Sequence, residues 1–290
     1  MANFKHNSLP APTDENLSRT GRVDCLSAAI EAIESATDLR VHTCKSLNSL
    51  SGTLVVQINH EWVFRFPTTQ SSAEETQKRL KFLRWFAKRS PLAVPEPVYS
   101  TDHFVGYKSI AGDPFLPGDP FDSTEMDRLS KEDKQRIAKQ LGVFLAVLHY
   151  SPDQGIDVEA GYFAGRRERC EPSDANAFIE YLHASEYRKL AAKLEAIENN
   201  PSNFVQPTII HGDLYFRNIL WDKRSRLITG IIDWDGLALG IPALDFTGLA
   251  DFTTSRNDDF LMDILRWYGA DSGMFTQVKE NAIIEVMNWF

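Results

Sequence analysis

IIHGDLYFRNILWDKRSRLITGIIDWDG, residues 209–236, sets His211, Asp213, Asn218, Asp233 and Asp235 among runs of Ile and Leu. Branched apolar residues are ordinarily buried, whereas Asp keeps to water or to a partner. A carboxylate that closes an apolar run therefore has a task there. Asp213 and Asn218 lie five residues apart on a loop leading into the expected strand NILW. Asp233 closes a second expected strand, LITGII. If the two strands pair, the Asp233 carboxylate arrives beside Asn218 and two oxygen ligands converge. Mg²⁺ favours such ligands and is held by one or two protein groups together with phosphates. Asp213 stays off the metal, placed to accept a hydrogen bond from an incoming hydroxyl.

The surrounding chain bounds the possibilities. Its 290 residues, 43% hydrophobic and 24% charged, suit one large domain or two modest lobes. No apolar run approaches the length of a membrane span, and the polar start lacks a charged segment followed by an apolar one. Three scattered cysteines without CxxC spacing argue against a disulfide frame or a zinc site. A cytoplasmic location is expected. The net charge of −9 disfavours nucleic acid and would attract a cationic substrate, although acidity for solubility alone is commoner.

Hydrophobic spacing predicts a helix over residues 20–38, then strands ending in Ile58 and Phe66 around the polar turn NHE at 59–61. Residues 72–89 predict a basic amphipathic helix with Leu80, Leu83 and Phe86 on one face; its basic run reads as a solvated surface. The Pro-punctuated stretch 90–97 excludes a continuous helix. A strand at 104–107 dissolves into Gly/Pro turns at 111–120. Ser130 and Asp133 resemble a capping box before Ile137, Leu141 and Leu148. Further helices are expected at 174–198, 258–268 and 276–290. The order is strands first and helices later: an α+β chain in two lobes. Residues 1–18 form a lead-in, 19–107 a small β-rich lobe and 108–290 a larger, mostly helical lobe, with a hinge at 107–112. The apolar run reaching Phe290 leaves the completeness of the C-terminus open.

A metal-held phosphate facing a hydroxyl is the arrangement phosphoryl transfer requires, since positioning and charge neutralisation supply most of its catalysis. The spacing of His211, Asp213 and Asn218 matches the H-R-D-x-x-x-x-N pattern of kinase catalytic loops. HGDLYFRN followed by GIIDWDG and GIPALDF resembles the aminoglycoside phosphotransferase family, which has a protein-kinase-like fold. Upstream, EWVFRFP, PLAVPEPVY and GYKSIAGDP fall in the family's order, so the resemblance spans about residues 40–250.

The resemblance implies Mg²⁺ and ATP or GTP as cofactors and a small-molecule hydroxyl as acceptor, an aminoglycoside first. It implies that Asp213 accepts or orients the hydroxyl proton, that Asn218 and Asp233 bind Mg²⁺, and that Arg217 steadies the transferred phosphoryl group. Tyr107, Ser109 and Ile110 would flank the base, Ser51 and Gly52 would lie over the phosphates, and Asp245 would brace the catalytic loop with His211. Acidic positions Asp251, Asp258 and Asp259 would receive a polycationic acceptor; residues 234–290 hold nine Asp/Glu and three Lys/Arg.

Two departures stand out. Arg65 occupies the strand position where such kinases carry a phosphate-binding Lys, and its planar fork does not replace a compact ammonium. Its helix partner is Glu75 on this reading, with Glu74 and Gln77 as alternatives. The loop at 46–53 has only Gly52, and no GxxxxGK[ST] occurs. Simpler readings stand beside these: His211 as a satisfied structural histidine, Asp235 as a turn residue, Arg217 and Arg65 as partly solvated surface. Macrolide, choline or homoserine kinases fit the same motifs, as does a nucleotide-binding protein with little turnover. A haloacid-dehalogenase-type phosphatase, with Asp233 as nucleophile, lacks the long following domain it needs.

Overall fold

The structure, a computed structural model, describes residues 26–47, 54–66, 73–115, 128–152, 208–250, 258–270 and 272–287, without the side chains of 73–76, 272, 280 and 283–287. Helix α1 (Leu26–Ala36) buries Ala29 and Ile33, four residues apart and so on one face. Five antiparallel strands follow: β1 (Cys44–Leu47), β2 (Leu54–Ile58), β3 (Trp62–Phe66), β4 (Pro97–Ser100) and β5 (Val105–Lys108), in the sheet order β1-β2-β3-β5-β4. The β2–β3 turn is tight because Asn59 and His60 both take left-handed backbone, with φ of 53° and 59°. Strands β1 and β4 were not anticipated. Both are edge strands, where polar residues and Pro weaken the alternating signal.

Strand alternation sorts the sheet's two faces. Trp62, Phe64 and Phe66 pack with Val56, Ile58, Phe104 and α1 into a first core. The register aligns Val55 with Arg65 and Val63 with Tyr107, so these four share the opposite face.

A larger core gathers the remaining elements. They are α2 (Ala73–Phe86), β6 (Asp113–Pro114), α3 (Lys131–His149), β7 (Thr208–Ile210), β8 (Ile219–Asp222), β9 (Leu227–Ile231), β10 (Ala238–Gly240), α4 (Leu244–Thr247), α5 (Asp258–Tyr268) and α6 (Ser272–Met287). The Ser130 side chain caps α3 by accepting the Asp133 N–H at 3.0 Å. Helices α3 and α5 cross so closely at Gly142 that a Cβ there would meet the Ile264 carbonyl at 2.5 Å. Phe82, Leu83 and Phe86 of α2 belong to this larger core and not to the sheet's own.

The Gly/Pro stretch contains a short strand, since β6 pairs with β8. The Pro-punctuated segment runs beside β9, where the Ile231 N–H donates to the Ala93 carbonyl at 2.9 Å. The expected helix at 174–198 and the lead-in at 1–18 lie outside the described residues. Among the described residues no helix is long and apolar enough to cross a membrane.

Candidate active site

Strands β8 and β9 pair with Ile219 opposite Ile231, and one step further the Ile232 N–H donates to the Asn218 carbonyl at 2.9 Å. That register brings Asp233 beside Asn218. Asn218 uses both amide hydrogens on Asp213: Nδ2 lies 2.7 Å from its carbonyl and 3.0 Å from Oδ2. Its Oδ1 is thereby turned away from Asp213 as an oriented acceptor. Arg217 also faces Asp213, with Nη2 at 3.2 and 3.4 Å from the two carboxylate oxygens, and its guanidinium lies 4.4 Å from the Tyr215 ring centre. Burial pushes the Asp213 pKa up, and the Asp233 charge adds to this; Arg217, His211 and the Asn218 hydrogen bond oppose it without cancelling it.

The loop's support is buried. His211 Nδ1 accepts the Asp213 N–H at 3.3 Å, so Nε2 carries the ring hydrogen and donates to the Ile232 carbonyl at 3.1 Å. One imidazole thus ties the Asp213 loop to the residue preceding Asp233, a structural role. Asp245, fully buried in α4, accepts the His211 N–H at 2.7 Å and the Gly212 N–H at 2.8 Å, and faces His149 Nε2 at 3.1 Å. Burial alone would raise its pKa. The His149 hydrogen bond and charge, the His211 charge and the Gly212 N–H outweigh that and hold it below the usual carboxylate range.

Asp233 itself sits in left-handed backbone, φ 67° and ψ 64°. Such strain persists only where neighbours fix it. Trp234 is the fixing residue. It is buried against Phe86, Phe144 and His211, with ring centres 5.6, 6.2 and 4.6 Å away, and its Nε1 donates to the Ile231 carbonyl at 3.1 Å.

From β3 of the five-stranded sheet, Arg65 donates from Nη1 to Asp233 Oδ1 at 2.8 Å and from Nη2 to Asp235 Oδ2. Tyr107 stands beside the same guanidinium. Burial, reinforced by Asp235 and Asp233 and opposed by Arg65, raises its phenol pKa to about 12, so it stays protonated.

The backbones carrying Asp213 and Asp233 touch at two glycines. A Cβ on Gly212, whose φ is +77°, would lie 2.1 Å from the Gly236 carbonyl oxygen, and one on Gly236 would lie 2.8 Å from Gly212 C. Both obstacles are backbone and cannot swing aside. Gly236→Ala is therefore expected to cost about 1–3 kcal/mol in stability and to separate the two loops. Gly212→Ala, which adds backbone strain, should cost more. Thermal melting together with turnover checks both; variants matching the unsubstituted protein in both measurements would count against the contact.

The sequence profile of the phosphotransferase enzyme family, APH, matches residues 43–280. The chain belongs to this family. Solved structures share the fold of this APH-family phosphotransferase. The GDP and kanamycin complex of APH(2")-IIia superposes with a TM-score of 0.68 at 24% identity, covering 87% of this chain and 85% of that one. ADP-bound aminoglycoside phosphotransferase APH(2'')-Ib gives 0.64 at 19%, covering 90% of each. The macrolide 2'-phosphotransferase MphH from Brachybacterium faecium gives 0.63 at 20%, covering 91% of this chain and 90% of that one. No curated protein sequence matches the chain. The α+β, protein-kinase-like architecture expected from the motifs is thus the fold of the APH-family chain.

The oxygen donors of the phosphotransferase suit Mg²⁺. Among the described residues no group of three or more His, Cys, Asp or Glu could hold a metal. Asn218 Oδ1 and the Asp233 carboxylate are oxygen donors of the kind Mg²⁺ takes, and as a pair they would leave further positions for phosphate and water.

Other expected residues fall differently. The Ser109 N–H donates to the Glu61 carbonyl at 2.7 Å, which leaves the Ser109 carbonyl as its backbone group for a contact with the base. Ile110 rests on Gly230, where a Cβ would meet its Cγ2 at 2.6 Å. Gln77 is exposed, and the side chains of Glu74 and Glu75 lie outside those described. So do Ser51, Gly52 and Asp251. Asp258 pairs with Lys279 at 2.8 Å, while Asp259 is exposed. Sequence reasoning missed Asp235 as a partner of Arg65, Trp234 as the anchor, and His149. An aromatic immediately after a strand-ending Asp was the available signal for Trp234.

Proposed function

We propose that the chain transfers the γ-phosphate of ATP or GTP, with Mg²⁺, to a hydroxyl of a small molecule, first among them an aminoglycoside. The carrying observation is Asn218. Its two donated hydrogens fix Asp213 and leave Oδ1 turned away from it, so acceptor and cation ligands have separate places. Asn218 Oδ1 and the Asp233 carboxylate would hold Mg²⁺, which would supply charge neutralisation for the phosphates. Asp213 takes the hydroxyl proton as the acceptor oxygen bonds to phosphorus and the bond to the bridging oxygen breaks, releasing nucleoside diphosphate. Arg217 holds the Asp213 carboxylate in place and offers its charge to the transferred group. Arg65 and Tyr107 face the phosphates, and Ser109 and Ile110 border the base at the hinge, 107–112, between the lobes. Glu75 on α2, with Ser51 and Gly52 over the phosphates, completes this reading of the nucleotide site. A cytoplasmic enzyme of this kind meets its acceptor in solution.

A panel of aminoglycosides, macrolides, choline and homoserine, assayed with ATP and with GTP, tests the proposal. Phosphorylation of an aminoglycoside is the expected result, and failure with all of them removes that first assignment. One observation favours a less charged acceptor such as a macrolide. Asp258 is paired with Lys279 and Asp263 with Arg266, so among the described residues α5 offers less free negative charge than its sequence promised. Asp259, with Asp251 outside the described residues, would then carry the recognition of a cationic acceptor.

A further inference from the structure

Arg65 lies on β3 with its side chain 16% exposed, and its fork spans two carboxylates of the opposite lobe. Nη1 takes Asp233 Oδ1 at 2.8 Å and Nη2 takes Asp235 Oδ2. Asp233 is the only carboxylate in the pair of oxygen donors suited to a divalent cation. A guanidinium and a divalent cation repel each other and would draw on the same Asp233 carboxylate. Arg cannot shed its proton at any ordinary pH. It leaves Asp233 only if another anion draws it off, and a nucleotide phosphate is the stronger anion. Asp235, in the exposed turn after Trp234, can keep one arm of the fork while the other turns.

We propose that Arg65 and the divalent cation compete for Asp233, so that the cation binds well only after nucleotide phosphate has drawn the guanidinium away. This rests on the reading of Asn218 and Asp233 as cation ligands. It makes binding ordered: nucleotide, or its metal complex, enters before free cation can settle.

Mn²⁺ is the probe, its free concentration read by electron paramagnetic resonance during titration of the full chain, with and without ADP. Without nucleotide, Arg65→Met and Arg65→Gln are expected to bind Mn²⁺ about tenfold tighter or better, the size of a released charge-assisted hydrogen bond. ADP should then improve wild-type affinity by a correspondingly larger factor than it improves either variant. Arg79 of α2 acts on Asp235 through charge, so Arg79→Met measures loss of a nearby positive charge alone. It should stay within about twofold of wild type. Equal gains in Arg79→Met and the Arg65 variants, or no gain in Arg65 variants that fold by circular dichroism, overturn the inference. Asp233→Ala separates the two layers. Mn²⁺ binding that survives it overturns the underlying site reading as well; binding lost with it, beside Arg65 variants without gain, overturns the competition alone.

Discussion

Asp213→Asn is expected to lower kcat by about a thousandfold while folding and nucleotide binding persist. The substitution keeps the shape that Asn218 and Arg217 contact but removes the group that accepts a proton. Its effect on stability has a definite sign. A carboxyl whose pKa is raised in the folded chain holds its proton more tightly folded than unfolded, so its ionised form opposes folding at neutral pH. The variant should therefore melt no lower than the parent. The same shift fixes the acid limb of the pH–rate profile. Activity needs the carboxylate ionised, so kcat/KM falls as pH drops through a pKa above the ordinary Asp value of about 3.9. In Asp213→Asn that limb should vanish from whatever rate remains. Turnover within tenfold of the parent would remove Asp213 from the chemistry.

The largest expected effect on stability belongs to Asp245→Ala, about 3–5 kcal/mol in urea unfolding. Removing a fully buried carboxylate leaves the His211 and Gly212 N–H groups and the buried His149 ring without their acceptor. Asp245→Asn keeps one acceptor oxygen but turns an NH₂ toward a donor, so it should lose roughly 2 kcal/mol. The linkage has the opposite sign to that of Asp213. The Asp245 pKa is depressed on folding, so its contribution is complete above about pH 4 and drains away as pH falls through the depressed value. The alanine variant should lack this acid-dependent part. An unchanged urea midpoint would show that the loop stands without Asp245.

How legible the site was depends on what each feature needs. Asp213, Asn218 and Asp233 were readable because a polar residue at a fixed offset from an apolar run leaves a mark in one dimension. The β8–β9 pairing that joins them followed from two adjacent apolar runs. Arg65 was readable as facing away from Phe64 and Phe66, since strands alternate, but its carboxylate partners come from 168 and 170 residues further on. No local pattern carries that distance. His149 closes the Asp245 network from the last turn of α3, and a basic residue at a helix end gives no local sign of such a partner. The bond from the Ser109 N–H to the Glu61 carbonyl leaves no mark in one dimension either, because backbone pairing at a sheet margin depends on register. Edge strands β1 and β4 fell below notice because short, polar or Pro-bearing segments lack the alternation that marks a half-buried strand.

The seat of α2 has a mechanical outcome. Its aromatic side rests with Trp234 and α3, while the five-stranded sheet keeps a separate apolar centre under α1. Were the molecule to yawn, the sheet would lift with α1 and carry Arg65 off, whereas α2 would remain seated below. The Arg65 fork is the clasp that holds the sheet against the larger core.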